Sequence, residues 1–321
     1  MSNPRDAPGS PPSLTAADES YHPAGEGRLW GESWYFDFAT EDARLGGYVR
    51  FSVYPHQGVA WYWACLVGEA CPYPLVAVVD HEVRPPRPPS REIRAEGLWA
   101  DHNTETPFDH LSLGCEAFAL GLDDPAAMLA AGGSPLGDRV PLGLDLEWET
   151  EGAAYVYPPG TTRYEVPCRV HGKVLVGDER IEVDAAGERD HSWGARDWWR
   201  LGWTWWSGGL GDGTRFHGLV VRRPDGEIVP YHPGFVQPPD GRMAGVGHTA
   251  EDVSGDRPFP AAATLTAGDL RLEAKPVAFA PVLLEDGSGR VSHLVRALCR
   301  FRDPATGRTG AGWAEWNDPQ P

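Results

Sequence analysis

Gly202-Trp203-Thr204-Trp205-Trp206-Ser207-Gly208-Gly209-Leu210 is followed by Gly211, by Asp212-Gly213, and then by Thr214-Arg215-Phe216-His217-Gly218-Leu219-Val220-Val221-Arg222. Two runs rich in aromatic and β-branched residues flank an Asp-Gly step, whose turn geometry matches the twist of paired antiparallel strands. The pattern continues outward. Pro224-Asp225-Gly226 turns into a run from Glu227 to His232, and Ala262 to Ala267, Leu270 to Ala280, Val282 to Glu285, Val291 to Arg302 and Thr309 to Trp316 follow, with Asp286-Gly287-Ser288-Gly289 as a further turn. The spacing predicts an antiparallel up-and-down β-meander.

The first half reads the same way with less regularity. Gly47 to Tyr54, the turn Pro55-His56-Gln57-Gly58 and Val59 to Val67 form a hairpin, and Gly97 to Asn103, His110 to Leu120, Leu142 to Glu149 and Arg163 to His171 supply further strands. Asp124 to Ala131 is the one short helix expected. Residues 1–27 carry Pro and Ser without hydrophobic periodicity and are expected to be a disordered leader. Tyr157-Pro158-Pro159-Gly160 suggests a boundary, giving an N-terminal β domain over 28–162 and a C-terminal one over 163–321. Fourteen tryptophans exceed the needs of one sandwich core, whereas a barrel of about eight strands holds one small ligand among large side chains. The fold class expected is all-β, with two tandem antiparallel barrels.

A net charge of −18 leaves no basic cluster to neutralise phosphates, which argues against nucleic acid as a partner. Cys65, Cys71, Cys115, Cys168 and Cys299 form no C-x-x-C pair, so reduced thiols and a cytoplasmic location are expected. No run of about eighteen apolar residues predicts membrane insertion. A small hydrophobic molecule is the partner expected, bound by a monomer or homodimer.

The densest chemistry lies in Gly187-Glu188-Arg189-Asp190-His191-Ser192-Trp193-Gly194-Ala195-Arg196-Asp197-Trp198-Trp199. A carboxyl among indole rings is poorly solvated, and burial favours its protonated form, so Asp190 is the candidate general acid. Strand alternation sets Glu188, Asp190 and Ser192 on one face, and Arg189, His191 and Trp193 on the other. Glu188 is the candidate to share a proton with Asp190, and His191 and His217 are candidate relays. Trp193, Trp203, Trp205 and Tyr231 are expected to line the pocket, joined from the first half by Trp34, Trp61 and Trp63. Arg196 and Asp197 read as a structural ion pair, and His102 and His110 as solvated loop residues. No metal-ligand spacing or nucleotide fingerprint stands out, so neither metal nor cofactor is expected.

Around Gly187 to Trp198 the sequence resembles the tandem lipocalin-like family that includes carotenoid 1,2-hydratases (hydroxyneurosporene synthases) and AttH-like proteins, a two-barrel architecture also used by fungal decalin-forming Diels–Alderases. The hydratase motif, roughly Tyr-x-Asp-x-Asn-x-Gly, aligns with Glu188, Asp190, Ser192 and Gly194; Asp190 and Gly194 are kept. The form Arg-Asp-x-Ser-Trp-Gly-x-Arg-Asp-Trp resembles uncharacterised actinobacterial members more closely. The resemblance implies lipocalin-like barrels and a cofactor-independent enzyme that protonates a C=C bond of a polyene or terpenoid-like substrate, giving hydration, isomerisation or cyclisation. A pericyclic cyclase of a polyketide or terpenoid, and a carrier of an apolar metabolite, are the alternatives.

Overall fold

The computed structural model of the protein describes residues 14–130 and 135–320. The first sheet contains β1 (Trp30–Ala39), β2 (Gly46–Tyr54), β3 (Val59–Val67), β4 (Leu75–Val83), β5 (Ile93–Ala95), β6 (Leu98–Thr106), β7 (His110–Leu122), β8 (Asp138–Thr150), β9 (Tyr155–Val156), β10 (Thr162–Val176) and β11 (Glu179–Ala195). The second contains β12 (Gly202–Leu210), β13 (Arg215–Arg222), β14 (Gly234–Gln237), β15 (Ala244–Gly245), β16 (Thr249–Ser254), β17 (Ala262–Ala267), β18 (Leu270–Glu285), β19 (Val291–Arg302) and β20 (Thr309–Pro319).

In the first sheet the order β4-β3-β2-β1-β11-β10-β8-β7 closes on itself, because Leu75, Val76 and Ala77 of β4 also pair with Leu122, Gly121 and Leu120 of β7. Eight strands therefore make a barrel, with β5 and β6 branching from β7. The second sheet runs β15-β14-β13-β12-β20-β19-β18-β17-β16 and curls so that Thr249 at the start of β16 donates its hydroxyl to the Leu219 carbonyl of β13. All ladders are antiparallel, as the Asp-Gly turns predict.

Burial patterns show where the units meet. β7 and β8 alternate between buried and exposed, with one face in the barrel and one in solvent. β1, β2 and β3 are buried on both faces. Trp34, Phe36 and Phe38 fill the barrel, while Tyr35, Tyr48 and Trp63 point out into a second cluster with Trp205, Leu298 and Trp313 of the other sheet. The aromatic run Trp34-Tyr35-Phe36 thus serves two cores at once.

Several sequence expectations change. Of the leader, residues 1–13 lie outside the described residues, but within 14–22 Leu14, Glu19, Tyr21 and His22 are packed on the barrel while 23–27 are exposed. Ala16–Glu19 forms a 3-10 turn capped by a Thr15–Asp18 box, Glu19 pairs with Arg189 at 2.9 Å, and Tyr21 packs edge-on against Trp34. Both members of the Glu19–Arg189 pair are 2% exposed, so this segment seals the barrel mouth. The expected boundary at 162/163 falls inside the first sheet, since β10 and β11 belong to it; the chain changes sheet between Ala195 and Gly202. Residues 227–232 make a single bridge from Ile228 to Arg222, and β14 returns the strand instead. The short helix is a 3-10 segment, Pro125–Leu129, capped by Asp124. His102 is buried in the barrel, not solvated, and its ring nitrogens find no partner. The five cysteines are buried and unpaired. No helix among the described residues is long and apolar enough to cross a membrane.

Candidate active site

Strand register assembles a polar belt on the outer wall of the barrel. Arg50 of β2 lies opposite Tyr35 of β1, Tyr35 opposite Asp190 of β11, and Asp190 opposite Glu165 of β10. Two residues along each strand, and so on the same face, Ser52, Ser33, Ser192 and Arg163 form a parallel row. The second sheet faces this belt with Trp203 and Trp205 of β12, Leu219 and Val221 of β13, Arg296 of β19 and Glu315 of β20. Between them lies a cavity of about 510 Å3, roofed by Pro159-Gly160-Thr161 and by the crossover from Ala195 to Leu201. Gly194 makes that crossover possible with φ +126°, in the left-handed region that side chains avoid. The Asn317 side-chain amide ties the crossover to β20 through the carbonyls of Trp198 and Leu201.

The belt's chemistry centres on Arg163. Its Nη2 donates to Asp190 Oδ2 at 2.7 Å and its Nε to Glu165 Oε1 at 2.7 Å. One guanidinium faces two buried carboxyls, so its charge balances only one of them. Asp190 Oδ1 has no partner and lies at the cavity wall. Glu165 is fully buried behind Arg163 and Trp205; burial, reinforced by the charge of Asp190, pushes its carboxyl up to about 8 against the pull of Arg163.

The buried network behind Arg163 extends to His217. His217 Nδ1 lies 3.0 Å from the Trp206 carbonyl, which can only accept, so Nδ1 carries the ring proton and Nε2 accepts from the Tyr157 hydroxyl at 2.8 Å. The Tyr157 hydroxyl also lies 3.0 Å from Glu165 Oε1, an oxygen that accepts from Arg163 Nε and the Trp205 indole N–H as well. Burial, followed by the nearby Arg163 charge, keeps His217 neutral by holding its pKa well below the usual range. Further along the belt, Asp37 is raised to about 7 by burial while accepting from the Glu188 amide at 2.8 Å and the Tyr35 hydroxyl at 2.9 Å. Glu188 is raised well above the carboxylate range by burial, then by the charges of Glu165 and Asp37.

The structure sorts the residues singled out from sequence. Asp190, Trp203, Trp205 and Tyr231 line the cavity. Glu188 shares the face of Asp190 but is buried beside Asp37 away from the lining, and His217 sits behind Trp205. His191 does not join Asp190: it points through the sheet into the barrel, stacks on Trp34 at 4.6 Å and meets Glu32 at 2.9 Å. Trp34 is in the barrel for the same reason of parity. Trp193 stacks on His22 at 3.7 Å. Trp61 and Trp63 form a layer behind Trp198, which lines the cavity in their place. Arg196 and Asp197 are not a pair, because adjacent residues diverge: Arg196 donates to Ser192 and lies over Trp198, and Asp197 binds Arg290 at 3.0 Å. Glu165, Arg163 and Tyr157 were not singled out from sequence. The available signal was Arg163-x-Glu165, a cation and an acid on one strand face opposite the motif.

His22, Glu32 and His191 bring three ligating atoms within 4.8 Å of one another, the one group among the described residues with metal-like spacing. The same contacts are hydrogen bonds, at 2.8 Å from His22 Nδ1 and 2.9 Å from His191 Nε2 to Glu32 Oε1, which hold the N-terminal segment to the barrel.

A family model described as a domain of unknown function, DUF7064, matches residues 15–320. No curated protein matches the chain. Among solved structures it is similar to an AttH protein from Nitrosomonas europaea, with 15% identity and TM-score 0.65 over 97% of this chain and 98% of that one. Kievitone hydratase from Nectria haematococca aligns at 11% identity and TM-score 0.59, over 91% of this chain and 90% of that one. CghA aligns at 11% identity and TM-score 0.54, over 91% and 88%. These likenesses establish the tandem AttH fold.

Proposed function

The chain belongs to the DUF7064 family, whose name carries no reaction, and from the site itself we propose a cofactor-independent enzyme that protonates a C=C bond of an apolar small molecule held between the two sheets. The observation that carries this reading is the pair of carboxyls on Arg163: Asp190, at the cavity wall, and Glu165, fully buried behind it with its carboxyl pushed up to about 8. A carboxyl held protonated by burial next to a second carboxyl on the same guanidinium can divide acid and base work with it. Their neighbouring positions in register make them one proton-sharing unit.

In the proposed cycle Glu165 passes its proton to Asp190, and Asp190 delivers it to an alkene carbon. Arg163 and the Trp205 indole N–H, 3.2 Å from Glu165 Oε1, hold the carboxylate left behind. The carbocation formed faces Trp198, Trp203 and Trp205, each ring contributing about 0.5–2 kcal/mol of cation–π stabilisation. Capture by water gives hydration, loss of a neighbouring proton gives isomerisation, and attack by a second alkene gives cyclisation; in each case a proton returns to the unit. The fold shared with kievitone hydratase, a hydratase by name, supports this class.

The test is solvent deuterium. A panel of conjugated and isolated polyenes is incubated with the protein in D2O, and carbon-bound deuterium in the recovered material is measured by mass spectrometry. The expected result is incorporation that Asp190→Asn abolishes. Turnover without carbon-bound deuterium would make the protein a pericyclic cyclase, and recovery of every bound compound unchanged would make it a carrier.

A further inference from the structure

The cavity wall contains more cations than its anions can match. Arg163 is paired with Asp190, and Arg296 forms an ion pair with Glu315. Asp197 is engaged by Arg290. Among the described residues no carboxylate is within ion-pair reach of Arg50 or Arg196, although both line the cavity. Arg50 is 3% exposed, and it donates only to hydroxyls, through Nε to Ser52 at 3.0 Å and Nη2 to Ser33 at 2.9 Å. Arg196 likewise donates to Ser192 at 3.1 Å. Both guanidiniums lie over the Trp198 ring, at 4.8 and 5.2 Å from its centroid.

A buried guanidinium without a carboxylate partner is costly unless something outside the chain completes it. Here Arg50 is buried with the half-buried Arg196 beside it, and burial followed by the neighbouring Arg196 charge lowers Arg50 to about 10, leaving it cationic at neutral pH. The chain carries a net charge of −18, yet among the described residues neither arginine is given a carboxylate within ion-pair reach. A smaller recess continues from this corner between Ser33, Ser52, Ser192 and Thr162, adding hydroxyl donors around the same two arginines.

We infer that Arg50 and Arg196 form an oxyanion anchor, and that the natural ligand is an apolar molecule ending in a carboxylate. This rests on the proposed apolar-ligand cavity and specifies its substrate class. Arg50 stands two strands from Asp190 in one row, and Arg196 reaches Ser192, two residues from Asp190 on the same face, so the anchored carboxylate sits at one corner of the cavity and the chain beyond it runs past Asp190. The anchor fixes which carbon meets the acid.

The experiment uses the full chain and two probes of one shape, cis-parinaric acid and its methyl ester, titrated at pH 7 by quenching of tryptophan emission. Charge-assisted bonds to two guanidiniums predict that the acid binds at least about tenfold more tightly than the ester. Arg196→Gln and, separately, Arg50→Gln are expected to bring the acid-to-ester ratio close to one. Equal binding of acid and ester by the wild type, or a ratio unchanged in Arg196→Gln, overturns the anchor and leaves the apolar cavity standing. Failure of both probes to bind overturns the cavity reading and the anchor with it. The wild-type comparison requires no variant to fold.

Discussion

Glu165→Gln converts the acid behind Arg163 into a permanent neutral isostere, and its effect on stability depends on pH in a calculable way. The folded protein holds the Glu165 proton until about pH 8, whereas an unfolded chain releases it near the ordinary 4.5. Between those values the folded state binds more protons, so rising pH destabilises the wild type through this group. Below 4.5 the penalty is absent, and above 8 it is constant. The span corresponds to about 5 kcal/mol at 1.36 kcal/mol per pH unit. Glutamine keeps an acceptor oxygen for Arg163, Trp205 and Tyr157 and carries no proton to lose. Denaturant unfolding of both proteins from pH 4.5 to 9 should show the variant gaining on the wild type by about 5 kcal/mol up to pH 8, then running parallel. Asp37 titrates in both proteins and falls out of the difference to first order, whereas Glu188 feels the Glu165 charge and its relief in the variant adds to the gain in the same direction. A variant that loses ground as pH rises would mean that Glu165 is an ionised partner of Arg163, and the proton-sharing unit would have to be abandoned.

Arg163→Met should destabilise the protein by about 3–5 kcal/mol at pH 7, because it leaves the Asp190 carboxylate buried without its cation; adding Asp190→Asn should recover most of the loss in a double-mutant cycle of unfolding free energies. Glu19→Ala should cost a similar 3–5 kcal/mol by denaturant unfolding, since it strands Arg189 inside the barrel, whereas a free leader would give no change. Gly187→Ala places a Cβ 2.2 Å from the Asp37 carbonyl and 2.5 Å from Val170 Cγ2; because the first contact is backbone, β1 and β11 must separate, and a loss of about 3 kcal/mol in unfolding free energy is expected.

Legibility in the sequence followed the range of the interactions. The meander from β12 to β20 was readable because Asp-Gly and Pro-Asp-Gly turns are local signals and strand alternation is a local rule. Alternation also separated Asp190 from His191 correctly; assigning both to one site required ignoring it. The Arg196–Asp197 pair failed on the same geometry, since neighbours along an extended chain diverge. The composition of residues 14–22 looks unfoldable, yet Glu19 finds its partner at Arg189, far along the chain. Glu165 was missed because Tyr164-Glu165-Val166 looks like an ordinary strand, and its role arises only when β10 pairs with β11. The sheet switch after Ala195 was hidden for a related reason: the motif that marks the site is also the end of the barrel's longest strand.

The central claim is that Glu165 carries a proton at neutral pH in the pair of carboxyls that it and Asp190 form on Arg163. The most direct measurement is a 13C NMR titration of protein labelled at the glutamate side-chain carboxyl carbon, recorded for wild type and Glu165→Gln so that the missing resonance identifies Glu165. The resonance lost in the variant should titrate at about 8 in the wild type. A resonance already in its carboxylate position at pH 6 would contradict the account.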